Sequence, residues 1–419
     1  MTGRANGDGR QSRPDIRIIL PPQATHVSER RTRIALAGVI FLVLLAQVLL
    51  YPGIDALVGA LGATTDLEAS MWFLAAEFGA FVVFAAVWGA LSDATGRRAP
   101  YIVVGALGGA AGYAGLLVVP TVAPSFLSVL VLRIAQGALT IGAFSLAMTM
   151  LMDLGGGHGR NMGAAGIAIG SGTALGAPLG GQLYEVDTLA PVAAASALLA
   201  LGAVLAWTVP DRAPSNDRGL DAILRSLGDR PQLLVPYAFG FIDRFTAGFF
   251  ALIGTLYFRN AFELSPGATG LVLAAFFAPF ALFQYPFGVL SDRIGRTVPV
   301  VAGSAVYGLA VIGVGAAPAI ELVVAGMVAI GLIGALMAPA TMALVTDLAH
   351  PDERGAAMGG FNVFGSVGFL AGVLVGGSVA SRYDFFTAFL VTGGIEIGVA
   401  TLAIPFFLRW ERQRTGVGA

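Results

Sequence analysis

The chain predicts an all-α membrane protein, with twelve transmembrane helices in two six-helix bundles related by a pseudo-twofold axis. Three observations carry this expectation. Mean hydropathy is +0.81 and only 12% of the residues are charged, against about 25% in a soluble domain. The apolar residues come in blocks long enough to cross a bilayer. The decapeptide GALSDATGRR (89–98) returns as GVLSDRIGRT (288–297), 199 positions later, at the polar end of a long apolar run in each half.

A spanning helix needs roughly 20 apolar residues, and the elements follow in order. Residues 1–33 are polar and arginine-rich, and are expected to form a disordered tail. The first bundle, 34–210, holds spans at 34–58, 70–91, 100–119, 125–151, 162–184 and 190–209. The first span carries a Tyr51–Pro52–Gly53 break that leaves Asp55 at a solvated end. The polar, proline-bearing stretch 211–232 then reads as a linker. Within it DAILRSL is expected as a short amphipathic helix on the membrane surface. The second bundle, 233–408, repeats the pattern at 233–258, 268–290, 298–317, 321–346, 356–380 and 385–408, before a tail at 409–419. A second echo supports the duplication. MDLGGGHGR (152–160) and TDLAHPDER (346–354) each follow a fourth span, placing Asp153 and Asp347 194 positions apart.

Arginine placement sets the orientation. Of the 24 basic residues, all arginine, twenty fall on the side of the N-terminus, while Arg259 and Arg382 lie opposite. The positive-inside rule then puts both termini in the cytoplasm of a plasma-membrane protein. A net charge of −1 gives no field for a nucleic-acid partner. The absence of cysteine excludes disulfides and thiol catalysis, and the absence of lysine excludes an ATP-binding P-loop. No H-E-x-x-H or G-x-S-x-G element is present, so neither a metal site nor an enzyme is expected. The expected partners are the lipid bilayer and a small-molecule solute, handled by a functional monomer.

The repeated loop reads Gly89, Asp93, Gly96, Arg97, Arg98 in its first copy and Gly288, Asp292, Gly295, Arg296 in its second, and the fourth span carries RIAQG with Arg133 and Gln136. With twelve spans and a duplication, this set resembles the major facilitator superfamily over residues 34–408. Ala94 and Thr297 depart from its basic positions. GTALGAPLGG (172–181) resembles the helix-5 signature of the superfamily's twelve-helix drug–proton antiporters through Gly172, Gly176, Gly180 and Gly181, with Pro178 displaced by one position. The resemblance implies a secondary transporter working by alternating access. It implies efflux without a cofactor, with a proton as the coupling ion, and the near absence of polar residues from the tenth span favours an apolar or amphipathic solute. A permease for a polar metabolite, by uniport or proton symport, is the alternative. The residues themselves supply a reason for the loop. Glycine lets a helix approach, and aspartate favours a helix N-terminus in the other half. The arginines reach Asp153 or Asp347, making a latch that closes the cytoplasmic side.

Ionisable groups in mid-membrane cost at least about 2.5–3.5 kcal/mol each and need a reason. Asp243 and Arg244 lie centrally in the seventh span, Glu396 in the twelfth, Glu77 in the second and Arg133 in the fourth. Asp243 is the favoured binder of a proton or cationic solute. Glu77 matches Arg133 in depth. Gln284 and Tyr285 are the polar groups expected to line a cavity in the eighth span.

Overall fold

A computed structural model describes residues 22–122, 125–155, 158–211, 220–350 and 353–415. Twelve of its helices are long and apolar enough to cross a membrane. They are α1 Glu29–Ala60, α2 Asp66–Thr95, α3 Ala99–Val122, α4 Phe126–Met152, α5 Arg160–Val186 and α6 Ala190–Trp207 in the first bundle. The second bundle holds α7 Pro231–Ala261, α8 Pro266–Ile294, α9 Val298–Gly315, α10 Ile320–Leu348, α11 Arg354–Arg382 and α12 Phe385–Arg412. An even number of crossings returns the chain to the side on which it began, here called the terminal face.

Two boundaries correct the sequence reading. The helix leading into α1 begins at Pro22, so residues 22–33 are helical rather than disordered. Arg33 shows why. Its Nε donates to Asn161 Oδ1 at 2.7 Å and its Nη2 to the Gly155 carbonyl at 2.7 Å, pinning the charged turn to the start of α5. The last helix runs on to Thr415, past the expected end at 408. The linker helix Leu220–Asp229 packs on the second bundle. Its Ser226 is buried and its Leu227 covers the core beside Leu233 and Tyr237. Residues 1–21 and 416–419 of the expected tails lie outside the described residues.

Pairing inside the bundles obeys the duplication. In the first, α1 packs on α5, α2 on α4, and α3 on α6; in the second, α7 packs on α11, α8 on α10, and α9 on α12. Small residues set the crossings. A Cβ on Gly137 would stand 2.8 Å from the Glu77 carbonyl, and one on Gly331, 194 positions later, would strike the Phe276 carbonyl. The bundles meet along α5–α8 and α2–α11. Their contacts run from mid-depth, where Phe78 stacks on Phe369 at 3.9 Å between ring centroids, to the face opposite the termini. On that far face Arg259 Nε of α7 pairs with Asp55 Oδ2 of α1 at 2.7 Å, and Glu185 of α5 accepts the Gly267 N–H of α8 at 2.9 Å. Asp55 is therefore paired across the bundles and not simply solvated. The close approaches between α5 and α8 run from Gly170 against Ala281 to Gly181 against Pro266, whereas nearer the termini a Cβ on Gly163 or Gly166 of α5, or on Gly89 of α2, would meet nothing. The bundles part toward the terminal face.

Candidate functional site

In the first bundle, the embedded polar groups are gathered into one closed knot. Arg133 Nη2 of α4 donates to Glu77 Oε2 of α2 at 2.5 Å, and Arg133 Nη1 to Gln136 Oε1 at 2.6 Å. Gln136 Nε2 donates to Thr140 Oγ1 at 2.8 Å. The guanidinium lies over the Phe73 ring at 4.4 Å from its centroid and near the Tyr113 ring at 5.2 Å. Glu77, Arg133 and Gln136 are all 0% exposed. Depth alone paired Glu77 with Arg133, and the two do meet. Neither faces the cleft in this conformation.

The second bundle handles the same depths otherwise. Met327 stands 194 positions after Arg133, and Phe276 stands 199 after Glu77, so an apolar pair occupies the equivalent place. Its polar groups sit instead between α7, α9 and α12. Glu396 of α12 accepts from Ser304 Oγ of α9 at 2.5 Å and from Thr246 Oγ1 of α7 at 3.3 Å. Tyr307, the repeat mate of Tyr113, lies one turn beyond Ser304 and is buried. Asp243, one turn before Thr246 on α7, is partly exposed, and Arg244 is exposed with its stem beside Gly365 of α11. Neighbours on a helix project about 100° apart, so the two side chains leave α7 in different directions. Gln284 of α8 is half-buried and Tyr285 is 83% exposed, neither joined to the Asp243 group.

The two loop copies form charge clusters, each within its own bundle. Arg98 is buried and pairs with Asp153 at 2.6 Å and with Asp93 at 3.7 Å. Arg296 pairs with Asp292 at 2.6 Å and with Asp347 at 3.3 Å. Gly96 and Gly295 have φ of +65° and +86°, so they stop α2 and α8 in a conformation L-residues resist. Arg97 is exposed. A Cβ on Gly89 would meet open space, and one on Gly288 would reach only Pro339 of its own bundle. The expected approach of the opposite half is absent here because this side is open. Sequence reasoning missed Asp211, whose Oδ1 accepts the Arg98 and Ala99 N–H groups at 2.9 and 3.1 Å and caps α3. Its signal was an acid just past α6, with no spacing rule to link it to the loop. The far-face contacts of Glu185 and Arg259 were missed for the same reason.

The α5 glycines serve two neighbours. Gly172, Gly176 and Gly180 lie against α1 at Phe41, Val48 and Leu49, and Gly181 lies against Pro266 of α8. Pro178 is inside the helix, where α8 Gly270 fits beside it. One small face thus packs α5 inside its own bundle and across to the other.

Comparison with known proteins agrees with this architecture. The Major Facilitator Superfamily profile matches residues 36–242 and again 237–418, one match to each bundle. The chain is 27% identical to the class G tetracycline resistance protein of Vibrio anguillarum over 316 residues, covering 70% of this chain and 76% of that one. It is 29% identical to the inner membrane transport protein YajR of Escherichia coli K12 over 140 residues, 32% of this chain and 30% of that one. Among solved structures, the nucleoside transporter NupG has a TM-score of 0.71 at 15% identity, over 90% of this chain and 99% of that one. The human organic anion transporter MFSD10 has a TM-score of 0.63 at 20% identity, over 91% and 100%. At these identities the structures establish the fold. With a profile match over each bundle, the chain belongs to the major facilitator superfamily, as a non-enzymatic, multi-pass membrane transporter of twelve spans.

Proposed function

We propose that the chain exports an apolar or amphipathic solute in exchange for a proton, with Asp243 carrying the proton. The observation that carries this reading is the difference among the embedded acids. Glu77 is fully buried against Arg133, and Glu396 is fully buried against two hydroxyls, while Asp243 is only partly buried. In this reading Asp243 is the first acceptor of a proton that enters from the cleft. The solute class follows from α10, IELVVAGMVAIGLIGALMAPATMALVTDL, which offers an entering solute almost no polar group. The likeness to a tetracycline resistance protein is in keeping with efflux. In keeping with export across a plasma membrane, the arginine bias supports a cytoplasmic terminal face. There Asp93 and Asp292 act as latches when the bundles rock shut. In this conformation their loops are held ready within each bundle.

Asp243→Asn mimics a permanently protonated acid. Purified protein in proteoliposomes is supplied with a panel of amphipathic solutes including tetracycline. Uptake driven by a pH gradient is then compared with counterflow exchange. The substitution is expected to abolish gradient-driven uptake while exchange persists, and gradient-driven uptake at the wild-type rate would refute the assignment.

A further inference from the structure

Glu396 is a buried acid in α12 with no basic partner among the described residues. Ser304 and Thr246 provide its hydrogen bonds, at 2.5 and 3.3 Å, and both are fully buried. The site is built rather than incidental. A Cβ on Gly308 would stand 2.6 Å from the Gly393 carbonyl and 3.0 Å from Glu396 Cβ, so α9 and α12 cross closely enough to press Ser304 onto the acid. The ionisable groups facing it are Asp243 of α7 and Tyr307 of α9. The stem of Arg244 lies beside Gly365 of α11, and its charge acts on Asp243.

A buried carboxylate without a cation is expensive, whereas a neutral acid between two hydroxyls satisfies all its partners. Its O–H donates to one hydroxyl, and its carbonyl oxygen accepts from the other. When the proton leaves, both hydroxyls rotate to donate to the carboxylate. The same three side chains therefore accommodate either state.

We infer that Glu396 is a second, occluded proton-binding site, joined to the cleft through Thr246 and Asp243. Asp243 and Thr246 stand three residues apart on one face of α7, within side-chain reach. In loading, the Asp243 O–H gives its proton to the Thr246 hydroxyl oxygen as Thr246 passes its own proton to the Glu396 carboxylate. Asp243 becomes a carboxylate, Glu396 an acid, and Thr246 is unchanged. Only the use of this proton for transport rests on the function proposed above.

Infrared spectroscopy of the full-length protein in lipid tests the site without any solute, through the carbonyl band of protonated carboxyls and its shift on exchange into deuterated water. Glu396→Gln is expected to remove one such band, and Glu77→Gln to leave it. Thr246→Val is expected to retain the band but slow its exchange at least about tenfold, with Thr246→Ser restoring the rate. Should Glu396→Gln fail to fold, Ser304→Ala is expected to displace the same band by removing one hydrogen bond. An unchanged band in Glu396→Gln, an undisplaced one in Ser304→Ala, or wild-type exchange in Thr246→Val overturns the inference. Gradient-driven transport that survives Asp243→Asn while the Glu396 band behaves as expected would remove the coupling reading alone.

Discussion

Glu77 and Arg133 form an ion pair at 2.5 Å with no exposure, and the second bundle fills the same place with Phe276 and Met327. Such a pair is conditionally stabilising. Removing one partner leaves a buried charge at a cost of about 3–5 kcal/mol, while replacing both with apolar residues is often neutral or better. Arg133→Met is therefore expected to lower the thermal midpoint of the detergent-purified protein sharply. The double change Glu77→Leu with Arg133→Met is expected to recover most of the loss. Additive losses would deny the pairing. This pair was legible because two opposite charges at one depth of an apolar chain have few other places to go. The partners of Glu396 were not, since serine and threonine occur in many spans where they bond only to their own backbone, as Thr173 and Thr401 do.

A helix is held by where it stops and by what its smallest face touches. Gly180 of α5 lies so close to the Leu49 carbonyl of α1 that a Cβ would strike it, while one on Gly163 would meet nothing. Gly180→Val is expected to destabilise the protein by about 1–3 kcal/mol or more through overpacking. Gly163→Ala serves as a near-neutral control, and equal thermal midpoints for the two would contradict this packing. The spans themselves were readable because each is a long apolar run bounded by charge or proline. The ends of α1 and α12 were misread because their added turns are rich in arginine. Nothing apolar marks a turn that Arg33 fixes through Asn161 and Gly155.

The whole molecule is closed on one face and open on the other, and its closed face is stitched by Asp55–Arg259 and by Glu185 on the start of α8. The chain contains no cysteine, which makes crosslinking clean. Met71 and Ser378 touch across α2 and α11, with sulfur and hydroxyl 3.9 Å apart. A Met71→Cys, Ser378→Cys variant is expected to crosslink readily and stop transport when oxidised. Adding Asp55→Asn is expected to slow crosslinking by favouring the state open on the far face. Unchanged crosslinking would mean the ion pair holds nothing shut. The duplicated plan and the positions of the loops were legible from the repeat. The conformation was not, because a sequence that must visit two states specifies the contacts of both. The unequal charging of the bundles also has an electrical side. In the first, acid and arginine cancel, whereas the second holds two carboxylates against Arg244 alone. With one proton bound that sum is zero, and without it the second bundle carries a negative charge as it reorients. A membrane potential acts on that proton-free step, in which the solute is carried outward, at about 2.3 kcal/mol per charge per 100 mV. For a neutral solute exchanged for one proton, a potential negative on the terminal side is therefore expected to accelerate export even with equal pH on both sides. Potassium-clamped proteoliposomes measure this directly, and a rate indifferent to voltage would refute it.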